Sequence, residues 1–116
     1  MRYLLAFFVF AVLTSCSSTA GVFIEPNETF VLGEYQNTSF RAKLTNTSSE
    51  EIKISVVDTE SQQQTQGFGL SGKSNAKIYV SKNETARIIN PSDKHIKVKA
   101  VLSRNVEGMR YEKNKN

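Results

Sequence analysis

Ile96-Lys97-Val98-Lys99-Ala100-Val101-Leu102 is the stretch that decides the fold. Ile96, Val98, Ala100 and Leu102 share one side of an extended chain, and Lys97, Lys99 and Val101 share the other, because successive side chains on a strand point to opposite faces. A helix would spread the same residues around its axis. The same two-residue period recurs in Phe40, Ala42 and Leu44 against Arg41, Lys43 and Thr45, in Ile52, Ile54 and Val56 against Lys53 and Ser55, and in Ala76, Ile78 and Val80 against Lys77 and Tyr79. Such alternation predicts half-buried antiparallel strands. Val22–Ile24, Thr29–Tyr35, Gln66–Leu70 and Thr85–Asn90 are less regular strand candidates.

Turn-forming residues separate these runs: Gln36-Asn37, Thr45-Asn46-Thr47-Ser48-Ser49, Ser81-Lys82-Asn83-Glu84 and Asn90-Pro91-Ser92-Asp93. About seven short strands in one small unit predict an all-β antiparallel β-sandwich over residues 21–102, immunoglobulin-like in layout, with a small β-barrel as the alternative. The chain has no Trp and one Cys, so the core of antibody domains is missing and only the architecture is expected. Glu60–Gln66 has no apolar period and reads as a mobile loop. Residues 103–116 hold four basic and two acidic side chains with little to bury, and read as a polar, disordered tail. No internal repeat stands out.

The N-terminus has a different character. Arg2 precedes an unbroken apolar run, Leu4 to Leu13, followed by Thr14-Ser15-Cys16. Ten helical residues span only ~15 Å, half of a ~30 Å hydrocarbon core, so residues 1–15 read as a signal-peptide helix and not a membrane span. Leu13-Thr14-Ser15-Cys16 resembles the lipobox of bacterial lipoproteins. The resemblance implies cleavage before Cys16, a diacylglyceryl group on its sulfur, acylation of the new amine, and a short tether over 16–20. Ser17 after that cysteine resembles the sorting pattern of outer-membrane lipoproteins facing the periplasm. An ordinary secreted protein cut after Ser18-Thr19-Ala20 is the alternative. With a single cysteine, no intramolecular disulfide can form.

Removing residues 1–15 leaves about one hundred residues with 14 Lys+Arg against 11 Asp+Glu, since only Arg2 is lost. This mild positive balance does not call for nucleic acid. Gly67-Phe-Gly-Leu-Ser-Gly72-Lys73-Ser74 matches the phosphate-loop spacing, but a strand pattern follows it where that motif needs a helix. It reads as a Gly-rich turn, and no nucleotide is expected. His95 is the only histidine and enters a strand without a second nitrogen or sulfur ligand nearby. Glu50-Glu51 are adjacent and point apart, and Asp58 with Glu60 lack the dense acidic set of a calcium loop. No catalytic residue, metal or cofactor is expected. Asn27, Asn37, Asn46 and Asn83 head Asn-x-Ser/Thr triplets, glycan acceptors in a eukaryotic secreted protein and turn residues in a bacterial one.

Charge placement is the remaining signal. With the apolar registers facing inward, Arg41, Lys43, Lys53, Lys77, Arg87, Lys97 and Lys99 project outward. Arg41, Lys43, Lys53, Lys97 and Lys99 are the candidate surface for anionic lipid head groups, a cell-wall polymer or another envelope protein. The plainer account is a solvated sheet face protected by lysine. Taken together, these features predict a membrane-anchored, non-enzymatic envelope lipoprotein, held by the lipid on Cys16, that binds or scaffolds another envelope component. A small inhibitor of a host or competitor hydrolase is the alternative, less suited to a cationic target such as lysozyme.

Overall fold

The computed structural model describes residues 18–34, 38–106 and 108–114. The expected signal helix, Cys16 and Asn37 lie outside the described residues. Among the described residues nine strands form: β1 (Ser18–Ile24), β2 (Glu28–Leu32), β3 (Phe40–Asn46), β4 (Ile52–Asp58), β5 (Gln64–Leu70), β6 (Asn75–Val80), β7 (Glu84–Ile89), β8 (Ile96–Leu102) and β9 (Arg110–Lys113). They make two antiparallel sheets, ordered β1-β8-β3-β6 and β5-β4-β7-β2-β9. Between them lie the inward registers: Ile24, Leu44, Ile96 and Leu102 from one sheet meet Leu32, Ile52, Ile54 and Ile88 from the other, all essentially inaccessible to water.

The expected all-β sandwich therefore forms, and each sheet keeps two edge strands instead of closing into a barrel. Nine strands replace about seven. The order refines the immunoglobulin-like layout to a jelly roll of interlocked Greek keys. Alternation reports which residues are strands and which way they face. It does not report how the crossovers order them.

That order contains an approximate two-fold relation. Advancing every strand by four converts β1-β8-β3-β6 into β5-β4-β7-β2, the first four strands of the second sheet. The sequence repeats with it. Ala42, Asn46, Ser48, Ile52 and Lys53 recur forty-four positions later as Ala86, Asn90, Ser92, Ile96 and Lys97. An internal repeat is thus present where none stood out from sequence.

Its anchors are two buried asparagines. The Asn46 side-chain amide donates to the carbonyls of Glu50 (2.6 Å), Leu70 (3.2 Å) and Ser71 (3.3 Å), and its Oδ1 accepts from Ser48 N–H (3.1 Å) and Oγ (2.6 Å). Asn90 repeats this with the carbonyls of Lys94 (2.7 Å), Glu25 (3.1 Å) and Ile24 (3.2 Å), and with Ser92 N–H (3.0 Å) and Oγ (2.7 Å). Each asparagine so ties one corner to the end of an edge strand, β5 or β1.

Three boundaries shift. β1 starts at Ser18, inside the expected 16–20 tether, because Ser18 through Ile24 pairs with Leu102 through Ile96. Gln64–Gln66 belongs to β5, so the expected 60–66 loop shrinks to a tight turn held by Asp58, whose carboxylate accepts from Glu60 N–H (3.0 Å) and Ser61 N–H (2.9 Å). Within the expected disordered tail, β9 pairs with β2. Tyr111 packs on Phe30, ring centroids 5.1 Å apart, and Arg110 grips Glu34 with two hydrogen bonds of 2.7 and 2.8 Å.

Candidate functional site: the basic face of the four-stranded sheet

Arg41 and Lys43 on β3, Lys77 on β6, and Lys97 and Lys99 on β8 are exposed on the outer face of the four-stranded sheet. Not one carboxylate occurs on its four strands. Register places Lys43 directly opposite Lys77, and Arg41 opposite Tyr79. On the other flank Lys43 faces Val101, and Thr45 faces Lys99. Residues directly opposite have Cβ atoms about 4.5–5.5 Å apart, and like charges there are destabilising. The Lys43–Lys77 pair therefore works against the sheet.

These side chains rim a shallow groove of about 460 Å³. Arg41, Lys43, Lys77, Tyr79 and Ser103 stand around it, with half-buried Val101 in its floor. Ser103 ties the end of β8 to β3, its Oγ accepting from Arg41 N–H (2.9 Å) and its own N–H donating to the Arg41 carbonyl (3.0 Å). Two exposed aromatics flank the cations: Tyr79 at one end, and Phe23, under the Lys97 ammonium at 5.3 Å, at the other. Glu84, close along the chain, is already engaged by Ser81 N–H (2.9 Å) and Thr65 Oγ1 (2.7 Å).

The repeat supplies an internal comparison. Lys43 corresponds to Arg87, and Lys77, its partner across β3 and β6, to Val31 across β7 and β2. On the five-stranded sheet Arg87 pairs with Glu112, Arg110 bridges Glu112 (2.7 Å) and Glu34 (2.7 Å), and Val31 is sealed from water. The hydrogen-bonded Arg110 guanidinium holds the Glu34 carboxyl below its ordinary range. Burial, then the charge of Arg110, lowers the Arg87 guanidinium from its usual value. One outer face pairs its arginines with carboxylates, and the other has no carboxylate on its strands.

The expected five-residue surface accordingly divides. Arg41, Lys43, Lys97 and Lys99 share one sheet face, with Arg41 and Lys43 at the groove and Lys97 toward the other end, whereas Lys53 lies on β4 across the sandwich, beside Glu51, Ser55 and Gln64. Equal alternation on β4 and β8 carries no information about which sheet each strand joins. Tyr79, Val101 and Ser103 carried no charge signal, and only the register assembles them with Lys77.

The other candidates resolve simply. Gly67 and Gly69 lie within β5, and a strand, not a helix, follows Ser74. Lys73 takes a left-handed backbone (φ 63°) and donates its Nζ to the Thr47 carbonyl (2.8 Å). His95 is exposed. Among the described glycan triplets, Asn46 is wholly buried, and Asn27 and Asn83 are left-handed turn residues.

No protein-family model and no curated protein matches this sequence. Solved structures do. An oxalate decarboxylase superposes with a TM-score of 0.59 at 11% identity, covering 85% of this chain and 24% of that one. Its Bacillus subtilis form, whose Mn(II) centres have been studied, gives 0.59 at 13% with the same coverage. CapF, solved with the inhibitor 3-isopropenyl-tropolone, gives 0.58 at 14%, covering 75% of this chain and 24% of its own. The chain spans about a quarter of the length of each.

These neighbours are cupin-fold proteins and include enzymes. They overturn the expected role of a non-enzymatic envelope lipoprotein that binds or scaffolds another envelope component, with its hydrolase-inhibitor alternative. That role rested on the Cys16 resemblance and on outward basic residues, neither of which carries information about the strand order that these neighbours share. An Mn(II) centre does not fit the described residues. Such a site needs clustered carboxylate, carbonyl or imidazole donors. No group of three His, Cys, Asp or Glu comes together among them, and apolar side chains fill the space between the sheets. In fold, the chain is a jelly roll similar to these neighbours, and it carries a basic patch on an outer sheet face.

Proposed function

We propose that this cupin-type domain binds a multivalent anion, phosphate- or carboxylate-bearing, on the outer face of its four-stranded sheet, through Arg41, Lys43 and Lys77. The observation that carries the reading is the cross-strand Lys43–Lys77 pair on a sheet without a carboxylate. A bound anion relieves a repulsion that the fold leaves uncompensated. Tyr79 supplies a flat apolar side and a hydroxyl at the rim of the same groove.

Titration of the full chain with inorganic polyphosphate tests this. Binding should weaken as salt rises toward physiological strength, where the screening length is ~8 Å. Replacing Lys43 and Lys77 together with Gln should abolish most of it without loss of folding. Salt-independent binding, or equal binding by the double variant, overturns the reading. The Leu13-Thr14-Ser15-Cys16 resemblance supports lipid attachment at Cys16 as a separate proposal. Cys16→Ala should end labelling by a fatty-acid analogue, and persistent labelling would refute the attachment.

A further inference from the structure

We infer that the anion met by this face is a phospholipid surface, and that the groove end of the four-stranded sheet is where the domain lies down on it. The inference rests on the anion-binding reading above and adds the identity of the partner. It begins with where the chain enters the fold. β1 starts two positions after Cys16, and Thr19 pairs with Val101, which pairs with Lys43, which pairs with Lys77. Thr19, Val101, Lys43 and Lys77 thus form one row across the sheet.

Three residues from Cys16 to Thr19 reach at most ~11 Å. Lys77 lies three strand spacings farther, ~14 Å. A lipid carried on Cys16 would enter the bilayer beside the row that holds the repelling lysines. The rest of the cluster shares that end: Arg41, Tyr79 and Ser103 lie at the end of the sheet where β1 starts, while the acidic corner residues Glu25, Glu50 and Asp93 belong to the opposite end.

The shape of the face favours a surface over a small enclosed ligand. Its cations are exposed on a broad sheet, and the groove is shallow and open. An interfacial layer of anionic head groups fills such a face without a pocket. Each basic side chain near that layer strengthens association roughly fivefold. Tyr79, 49% exposed at the groove end, suits the boundary between head group and acyl chain. The five-stranded sheet has no comparable face, because Glu34, Arg110 and Glu112 neutralise it and β9 extends its edge.

Reactivity of individual lysines reads the contact directly. The full chain is mixed with vesicles of phosphatidylcholine alone or of phosphatidylcholine with phosphatidylglycerol, and pulse-labelled with an amine reagent. Lys43 and Lys77 should be protected about tenfold on the anionic vesicles only, and the protection should vanish in molar salt, where the screening length is ~3 Å. Lys53, on the other sheet, should label at one rate throughout. Equal labelling of Lys43 and Lys77 on both vesicles overturns the inference. If polyphosphate protects them where anionic vesicles do not, the face binds anions and the membrane assignment is wrong. If neither protects them, the anion-binding reading falls as well.

Discussion

Asn46 and Asn90 occupy equivalent corners of the sandwich, forty-four residues apart, and each side-chain amide reaches across to the end of an edge strand of the opposite sheet. Asn46 holds the end of β5 and Asn90 the end of β1. Both are completely buried.

Replacing either asparagine with Ala should therefore destabilise the domain by roughly 2–4 kcal/mol, since buried carbonyls lose their donor. Asn→Asp at either position should be worse, because an acceptor would then face carbonyl oxygens. Urea unfolding of the four variants checks both statements. A loss below about 1 kcal/mol at one corner would mean that the two are not equivalent in energy.

The Glu34–Arg110 contact should make stability depend on acid. Its carboxyl is lowered from an ordinary 4.5 in the folded chain. The contribution is complete above that ordinary value and is lost as pH falls through the lowered one. The pair is largely at the surface, so the effect should be ~1 kcal/mol or less. Melting wild type and Glu34→Gln from neutral to strongly acidic pH should show a gap that closes on the acid side. A gap that persists there would place the contribution elsewhere.

Val98 and Val101 test the two sides of one strand. Val98 is wholly buried and Val101 is part of the groove floor. Val98→Asp should unfold the domain, as an unpaired buried carboxylate costs several kcal/mol and small domains have only ~5–15 kcal/mol in all. Val101→Asp should change stability by about 0.5 kcal/mol or less. It should also abolish polyphosphate binding by placing a carboxylate opposite Lys43. Circular dichroism and the polyphosphate titration separate these outcomes.

Gly72 and Gly21 should answer oppositely to Ala. A Cβ on Gly72 would come within 2.6 Å of the Ser49 backbone, while Gly21 has nothing within 4 Å. Gly72→Ala should cost about 1–3 kcal/mol through forced backbone movement. Gly21→Ala should be neutral or stabilising, since Gly weakens a strand interior by ~0.5–1 kcal/mol relative to Ala. Thermal melts of the two variants decide the matter.

Much of this was legible beforehand, and the failures have physical causes. The alternation at Phe40–Leu44, Ile52–Val56, Ala76–Val80 and Ile96–Leu102 yields both the strands and the outward direction of every basic residue on them. β9 escaped because a four-residue edge strand buries almost nothing: Tyr111 stays 46% exposed while its ring packs on Phe30. Its hold comes from Glu34, seventy-six positions away from Arg110. The repeat escaped because its halves agree at corners such as Asn46-Thr47-Ser48 and Asn90-Pro91-Ser92, while their outer faces diverge from Lys77 to Val31. The site itself depended on register. No spacing along the chain says that Lys43 will stand opposite Lys77.

The pairing of β1 with β8 also has a mechanical meaning. The chain enters the domain at Ser18, and every residue from there to Ile24 is matched along β8. Tension applied at the N-terminus along the strand axis loads that whole row of hydrogen bonds in shear, all at once, where a peeling force would open them singly. A domain held by its leading end would resist being drawn out of shape by drag or by thermal agitation of its support.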